Sequence, residues 1–307
     1  MSNNPNITVI GSANIDLIGF SKDELIFQDS NSGSLEIILG GVGRNIAENL
    51  KHLDFDVEFL SVLADDEFSK MIINSCRDLG ISIKHSLIRE NSKTSIFMAI
   101  MDRSNDMALG LTAMDIYDDI PDSFIIDNLE IIAQNDYCIL ETNLPISILE
   151  LVTQKLPNTR FVLEAVSAKK ALKAKSILDK LYILKCNALE AELLSGIKVK
   201  YEIEYEKVVA HFLELGVKKV FITLGMDGVA YGDENEIFIA KNNIISPVNT
   251  TGAGDAFLAG IMYGETKGLE LYDMVQFASA CAQITIKHQN SVHPDICVQM
   301  VLDTLAS

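Results

Sequence analysis

Asn249-Thr250-Thr251-Gly252-Ala253-Gly254-Asp255-Ala256-Phe257 is the stretch whose chemistry organises the rest of the chain. Two glycines and small residues lead into Ala256-Phe257-Leu258-Ala259-Gly260-Ile261-Met262, a run with helical character. Gly252 and Gly254 permit backbone angles that other residues resist, so successive N–H groups can converge on one point. Those groups would open a helix, where unpaired donors and the helix dipole favour an anion. Asp255 then stands at the anion site itself. A carboxylate there binds anions poorly. It is well placed to take a proton from a hydroxyl while the amides of Gly252, Ala253 and Gly254 stabilise a phosphoryl group. The plainer alternative is a loop with an Asp near a helix start.

The 307 residues allow one large domain or two smaller ones. With 48% hydrophobic and 22% charged residues, the chain can bury a substantial core. A formal net charge of −18 argues against a sequence-independent grip on a nucleic-acid polymer or an anionic membrane. A nucleotide held by local amides and a metal remains compatible with it. Cys76, Cys138, Cys186, Cys281 and Cys297 show neither zinc nor disulfide spacing and read as reduced, mostly buried thiols. The five histidines show no metal spacing. Met1 to Asn6 lacks the basic and apolar regions of a signal peptide, and no apolar run could span a bilayer. A cytoplasmic protein is expected.

From the N-terminus, Ile7-Thr8-Val9-Ile10 reads as a buried strand ended by Gly11. Asn14 and Asp16 follow just beyond it, where ligands bind in open α/β sheets. Leu17-Ile18-Gly19-Phe20 and Leu35-Glu36-Ile37-Ile38-Leu39 read as short strands. Thr94 to Ile100 and Met107 to Leu111 form a second strand pair around the turn residues Asp102-Arg103-Ser104-Asn105. Gly40-Gly41-Val42-Gly43-Arg44-Asn45 leads into a helix at Ile46 to Leu50, and its glycines would let backbone approach a ligand. It is not a dinucleotide fingerprint, because Ile46 stands where the third glycine belongs. Arg44 could meet a phosphate, although an exposed Arg at a helix start is the commoner arrangement.

The chain then alternates. Val57 to Leu63, Tyr137 to Leu140, Arg160 to Leu163, Leu181 to Leu184 and Val220 to Thr223 read as strands. Glu67 to Leu79, Ile146 to Lys155 and Lys169 to Leu178 read as helices. This order predicts right-handed βαβ units and a mostly parallel sheet covered on both faces. Glu141-Thr142-Asn143 and Glu164 place polar groups at strand ends. Asn187-Ala188-Leu189-Glu190 opens a helix, and its spacing suits an N-cap Asn with a capping-box Glu. Thr223-Leu224-Gly225-Met226-Asp227-Gly228 suits a tight turn after a strand, against a flat ligand or a phosphate.

Thr251-Gly252-Ala253-Gly254-Asp255-Ala256-Phe257 resembles the C-terminal signature of the ribokinase-like (PfkB) carbohydrate kinases. Gly40-Gly41-Val42-Gly43-Arg44-Asn45 resembles the N-terminal one. Two signatures in the right order are far more specific than either alone, and the resemblance covers nearly the whole chain. It implies a single domain over 1–307, a three-layer α/β/α sandwich with a mostly parallel central sheet. It also implies a small β-sheet lid from about 14–41 and 93–112. Asp255 would be the general base beside an anion hole at Gly252, Ala253 and Gly254. Asn14, Asp16, Gly41 and Asn45 would hold the sugar, with Glu141 near substrate or metal. Asn187, Thr223, Gly225 and Gly228 would line the ATP site together with Gly252 and Gly254. Glu190 would order Mg2+ through water, and lid-to-lid contact would make a homodimer. The usual Asp that opens the C-terminal signature is Asn249 here, which puts a monovalent-cation site in doubt.

Within the family, residues 40–49, Thr112 to Tyr117, Val166-Ser167 with Lys170-Ala171, and Asn249-Thr250-Thr251 resemble the pseudouridine kinases. That implies ATP-dependent phosphorylation of the 5′-hydroxyl of pseudouridine, with Thr112, Tyr117 and Lys170 facing the base. The plain alternatives are a lid hinge, a core aromatic and a solvated lysine. Ribose, fructose or another nucleoside is the alternative substrate, and a non-catalytic nucleotide or sugar sensor is the alternative function.

Overall fold

The computed structural model describes residues 6–104, 106–241 and 249–306. Its strands, in chain order, are β1 (Asn6–Ile10), β2 (Asn14–Ser21), β3 (Gly33–Gly40), β4 (Asp56–Leu60), β5 (Val62–Ala64), β6 (Leu87–Arg89) and β7 (Ile96–Met101). They continue as β8 (Met107–Ala113), β9 (Tyr137–Glu141), β10 (Arg160–Glu164), β11 (Leu181–Asn187), β12 (Lys219–Thr223), β13 (Val229–Gly232) and β14 (Ile237–Ala240). Eight of them form the central sheet in the order β14-β13-β12-β11-β10-β9-β1-β4. The pairings from β4 to β12 are parallel, and β13 and β14 add an antiparallel edge.

Alternate residues of each central strand enter different cores. Ile7 and Val9 pack on one side with Ile139 and Val162, beneath the helices Val42–His52, Ala253–Lys267 and Leu271–Ile286. Ile10, Cys138, Leu140 and Leu163 pack on the other, beneath Ile146–Lys155 and Tyr205–Glu214. Burial on both faces explains why these strands read as continuous apolar runs rather than alternating ones. The helices Ala253–Lys267 and Leu271–Ile286 approach closely because Gly260 has no side chain; a Cβ there would lie 2.5 Å from Ala278 Cα. Among the described residues, no helix is long and apolar enough to cross a membrane.

A separate four-stranded sheet, ordered β3-β2-β7-β8, carries the hairpin pairs read from the sequence. Its register aligns Leu17, Ile37, Met98 and Leu111 on one face, with Gly19, Leu35, Ile100 and Leu109 in the next row. The opposite face carries the row Ile38, Asp16, Phe97 and Thr112.

Two elements differ from the sequence reading. Val57 to Leu63 is not one strand: β4 ends at Leu60, and β5 leaves the sheet to pair with β6. Ser61 marks the exchange, its amide donating to Ser86 Oγ at 3.0 Å. Lys169 to Leu178 is a short helix, Ala168–Ala171, followed by the 3-10 turns Leu172–Ser176 and Leu178–Lys180. Its buried residues Ala171, Ala174 and Ile177 recur every third position, the period of a 3-10 helix rather than an α-helix.

Candidate active site

The two signatures meet at the C-terminal ends of the parallel strands, where open α/β sheets bind ligands. Asn45, in the first turns of Val42–His52, donates from Nδ2 to Asp255 Oδ2 at 2.8 Å, across 210 residues of chain. Its Oδ1 accepts from Arg44 Nη2 at 2.6 Å, so the amide cannot turn over without losing a bond. The backbone at Gly41 has φ 101, and a Cβ there would lie 2.5 Å from Ala13 Cα, so only glycine fits. Asn14 donates to Asp16 Oδ1 at 2.5 Å. Asp16 is pushed up to about 6 by burial, which the Asn14 bond and the nearby Arg44 charge only partly offset.

Asp255 lies in the first turn of Ala253–Lys267, whose N-cap is Gly252 in a left-handed conformation, φ 81. Burial pushes its carboxyl up to about 6, against the Asn45 bond and the Lys185 and Arg44 charges; Glu141 adds to the rise. A carboxylate tuned to that range suits a general base near neutral pH. The ammonium of Lys185 lies against Gly254, 2.6 Å from where a Cβ would stand. It is paired with Glu164 in the adjacent strand, 3.0 Å from Oε1 and 2.8 Å from Oε2. Fixed positive charge therefore adjoins the helix N-terminus.

One cavity of about 480 Å³ brings Asn14, Asp16, Gly41 and Asn45 together with Gly252, Gly254 and Asp255. A second cavity of about 310 Å³ adjoins it, sharing Asn187, Thr223, Thr250 and Gly254. Gly225, Met226, Val229, Ala253, Phe257, Ala282 and Ile286 make its walls mainly apolar. An apolar slot that opens onto amides and a lysine suits a nucleotide, with base in the slot and phosphates at the helix start. Gly228 lines neither cavity: it sits in the β12–β13 turn, where a Cβ would strike Ala240 O, at the end of β14, at 1.9 Å.

The capping box at Asn187 is fully formed. Glu190 N donates to Asn187 Oδ1 at 3.0 Å, and Asn187 N donates to Glu190 Oε2 at 2.7 Å. Glu190 Oε1 also accepts from Asn187 Nδ2 at 2.7 Å. Both oxygens of the buried Glu190 are engaged, so contact with a metal through water fits better than direct ligation. That suits Mg2+, which keeps several waters and takes most protein help from one or two carboxylates. Among the described residues, no group of three or more His, Cys, Asp or Glu is placed to hold a metal by itself. Asn249 donates from Nδ2 to Gln289 O at 2.7 Å and accepts from Thr251 N at 2.9 Å. Where a carboxylate would attract a cation, this amide presents a donor.

Comparison with known proteins agrees with this geometry. The model of the pfkB family carbohydrate kinases matches residues 4–296. The chain belongs to this family. It is 30% identical over 300 residues to a pseudouridine kinase of Escherichia coli (strain K12), covering 96% of this chain and 95% of that one. It is 26% identical to a ribokinase of Haemophilus influenzae, covering 91% and 92%. Among solved structures, a carbohydrate kinase from Agrobacterium tumefaciens superposes with a TM-score of 0.88 at 25% identity, covering 98% and 97%. The Arabidopsis thaliana ribokinase complexed with ribose and ATP shares the fold, with a TM-score of 0.88 at 23% identity over 99% of both chains.

Other residues of this PfkB kinase depart from the sequence reading. Glu141 does not line the cavity. It is buried behind it, its Oε1 accepting from Ser12 N at 2.6 Å and its Oε2 from Asn143 N at 2.7 Å and Nδ2 at 2.6 Å. Burial holds its carboxyl above the usual range. Asn143 instead reaches the cavity, and its Oδ1 accepts from Lys170 Nζ. Thr112 and Lys170 both line the cavity. Tyr117 does not: its hydroxyl donates to Ala13 O at 3.0 Å and accepts from Ala13 N at 2.7 Å inside the core. Arg44 is buried, not exposed; it donates to Gly40 O and Leu39 O and pairs with Glu48. It braces the glycine turn from behind. Lys185 lines the cavity beside Gly254 and is absent from the sequence reading. The signal was a lysine within the otherwise apolar strand Leu181–Asn187, two residues before the Asn187 cap.

Proposed function

We propose that this PfkB kinase transfers the γ-phosphoryl group of ATP to the 5′-hydroxyl of pseudouridine. The observation that carries the substrate is the extent of the cavity. Beyond the residues suited to a ribose it continues between Phe97, Thr112, Met114, Asn143, Val166 and Lys170. That margin offers an aromatic face, a thioether and polar side chains, the means to hold a base as well as a sugar. The similarity to a pseudouridine kinase over nearly the whole chain supports the same choice.

Asp16 and Asn45 would accept and donate hydrogen bonds to ribose hydroxyls, and Gly41 lets the sugar approach the backbone. With the hydroxyl beside Asp255, the carboxylate takes its proton as the oxygen bonds to the γ-phosphorus. The bond from that phosphorus to the β–γ bridging oxygen breaks, and ADP leaves with the electron pair. The amides of Gly252, Ala253 and Gly254, with the Lys185 ammonium, stabilise the charge on the moving group. Mg2+, when bound, would supply positive charge to the phosphates, and Glu190 with Asn187 would hold it through water. The small sheet would close over the sugar as a lid. The apolar face it turns outward, with Leu35, Ile37, Met98, Leu109 and Leu111 exposed, would be covered by the lid of a second copy.

The test is kcat/KM for pseudouridine, uridine, ribose and fructose under identical conditions. Pseudouridine should lead. Uridine should be rejected strongly, because it lacks the ring N–H that the C-glycosidic bond leaves free and would strand a buried acceptor. Preference for ribose or fructose would overturn the substrate and leave the kinase. Phosphorylation of none would favour a binding protein.

A further inference from the structure

Glu164 ends β10 and faces Lys185 of β11 in direct register. Both side chains are buried, each about 5% exposed, and both line the active-site cavity. An ion pair withdrawn this far from water adds little to stability, since desolvation cancels most of the attraction. Its value lies in where it holds the ammonium, against Gly254 at the start of the anion-binding helix.

Glu164 has a second contact. Its Oε1 lies 3.4 Å from the amide of Val166. Val166 has φ 62, left-handed backbone that a β-branched residue adopts only under constraint. Ser167 N donates to Ala165 O at 2.7 Å, which closes a tight three-residue turn about Val166. Such strain persists only where surroundings over-determine it, and it gathers at ligand sites. Val166 forms part of the cavity wall beside Lys170, on the side where a base would lie. One carboxylate oxygen therefore accepts from the phosphate-side lysine and from the substrate-side turn.

We propose that Glu164 is a positioning residue that couples the two halves of the site, aiming Lys185 at the transferring phosphoryl group and holding the Val166 turn that shapes the substrate wall. The proposal rests on the kinase reading above. Glu164 acts through Lys185 and Val166, whose ammonium and amide its carboxylate contacts.

Glu164→Asp isolates positioning, because it keeps the charge and withdraws the carboxylate by one methylene. Lys185→Met and Val166→Gly remove one client each. Glu164→Asp should lower kcat and weaken a non-hydrolysable ATP analogue relative to ADP, each on the order of tenfold. It should also raise the KM of the accepted nucleoside or sugar. Lys185→Met should reproduce only the phosphate-side changes, and Val166→Gly only the change in KM. In double variants, Glu164→Asp should add nothing further to kcat on Lys185→Met, and nothing further to KM on Val166→Gly. Unchanged kcat, KM and analogue affinity with a lowered melting temperature would make Glu164 merely structural and overturn the proposal. Additive effects in both double variants would overturn it as well. The analogue-against-ADP arm needs no nucleoside, so a failed substrate assignment would show in the substrate panel and not here.

Discussion

Asp255→Asn should separate catalysis from stability in opposite directions. The substitution keeps shape and can still accept from Asn45 Nδ2, but it removes the base. Turnover should fall at least about a hundredfold, the lower bound for a general base, with substrate and ATP affinity largely retained. Stability should rise. In the folded protein Asp255 sits at about 6, against 3.8 for an ordinary aspartate. At about 1.4 kcal/mol for each tenfold change in proton affinity, ionising it in place costs about 3 kcal/mol. Because the folded value lies above the unfolded one, that cost is absent below about pH 4, where both states are protonated. It grows between about pH 4 and 6 and is complete above. Asparagine carries no such cost, so the variant should melt on the order of 5 °C higher at pH 8 and about equally with the parent at pH 4. Differential scanning calorimetry across that range, beside a coupled ADP-release assay, makes both measurements. The parent's kcat should fall below about pH 6 as Asp255 protonates among Asn45, Lys185, Glu141 and Arg44, and the variant's residual rate should lack that limb. Near-parental turnover would refute the base. A variant less stable than the parent at pH 8 would refute the buried-charge reasoning.

Replacing Asn187 by Ala together with Glu190→Gln should raise the Mg2+ concentration for half-maximal rate by about 10–100-fold. A loss of about 1 kcal/mol in stability with unchanged Mg2+ dependence would leave only the helix cap. Leu111→Glu in the outward apolar rows of the small sheet should turn a dimer into monomer by light scattering, and a parent already monomeric at micromolar concentration would reject lid pairing. Exchange of Na+ for K+ should leave the rate of the parent unchanged, whereas Asn249→Asp should introduce K+ dependence; activation of the parent by K+ would show that the Asn249 amide does not close the site. Lys170→Ala should raise the KM of the nucleoside by about tenfold, the cost of one charged hydrogen bond, while the KM of ATP stays put.

Much of this is legible in the sequence, because it is local. The residues 251–257 announce a helix start with a carboxylate in it, and the strands announce themselves by apolar runs bounded by turn residues. The Asn187–Glu190 spacing describes its own hydrogen bonds, and the structure contains them. Less local features were misread. Val57 to Leu63 is uniformly strand-like, and nothing in its composition says that the chain exchanges partners at Ser61. Glu141 and Arg44 have the residue types of ligand contacts or surface charges, yet both are buried braces behind the cavity.

The sequence by itself determined the fold class, the two glycine signatures and the carboxylate at the helix start, since periodicity and motif chemistry are properties of neighbouring residues. Tertiary structure alone decided that Asn45 meets Asp255, that Phe97 and Thr112 stand in one row with Asp16, and that Lys185 points at Gly254 with Glu164 behind it. Each of those pairs is set by strand register or by the path of a crossover. A shift of one residue in either strand would turn the side chain to the opposite face, and that choice is made by the packing of the whole sheet.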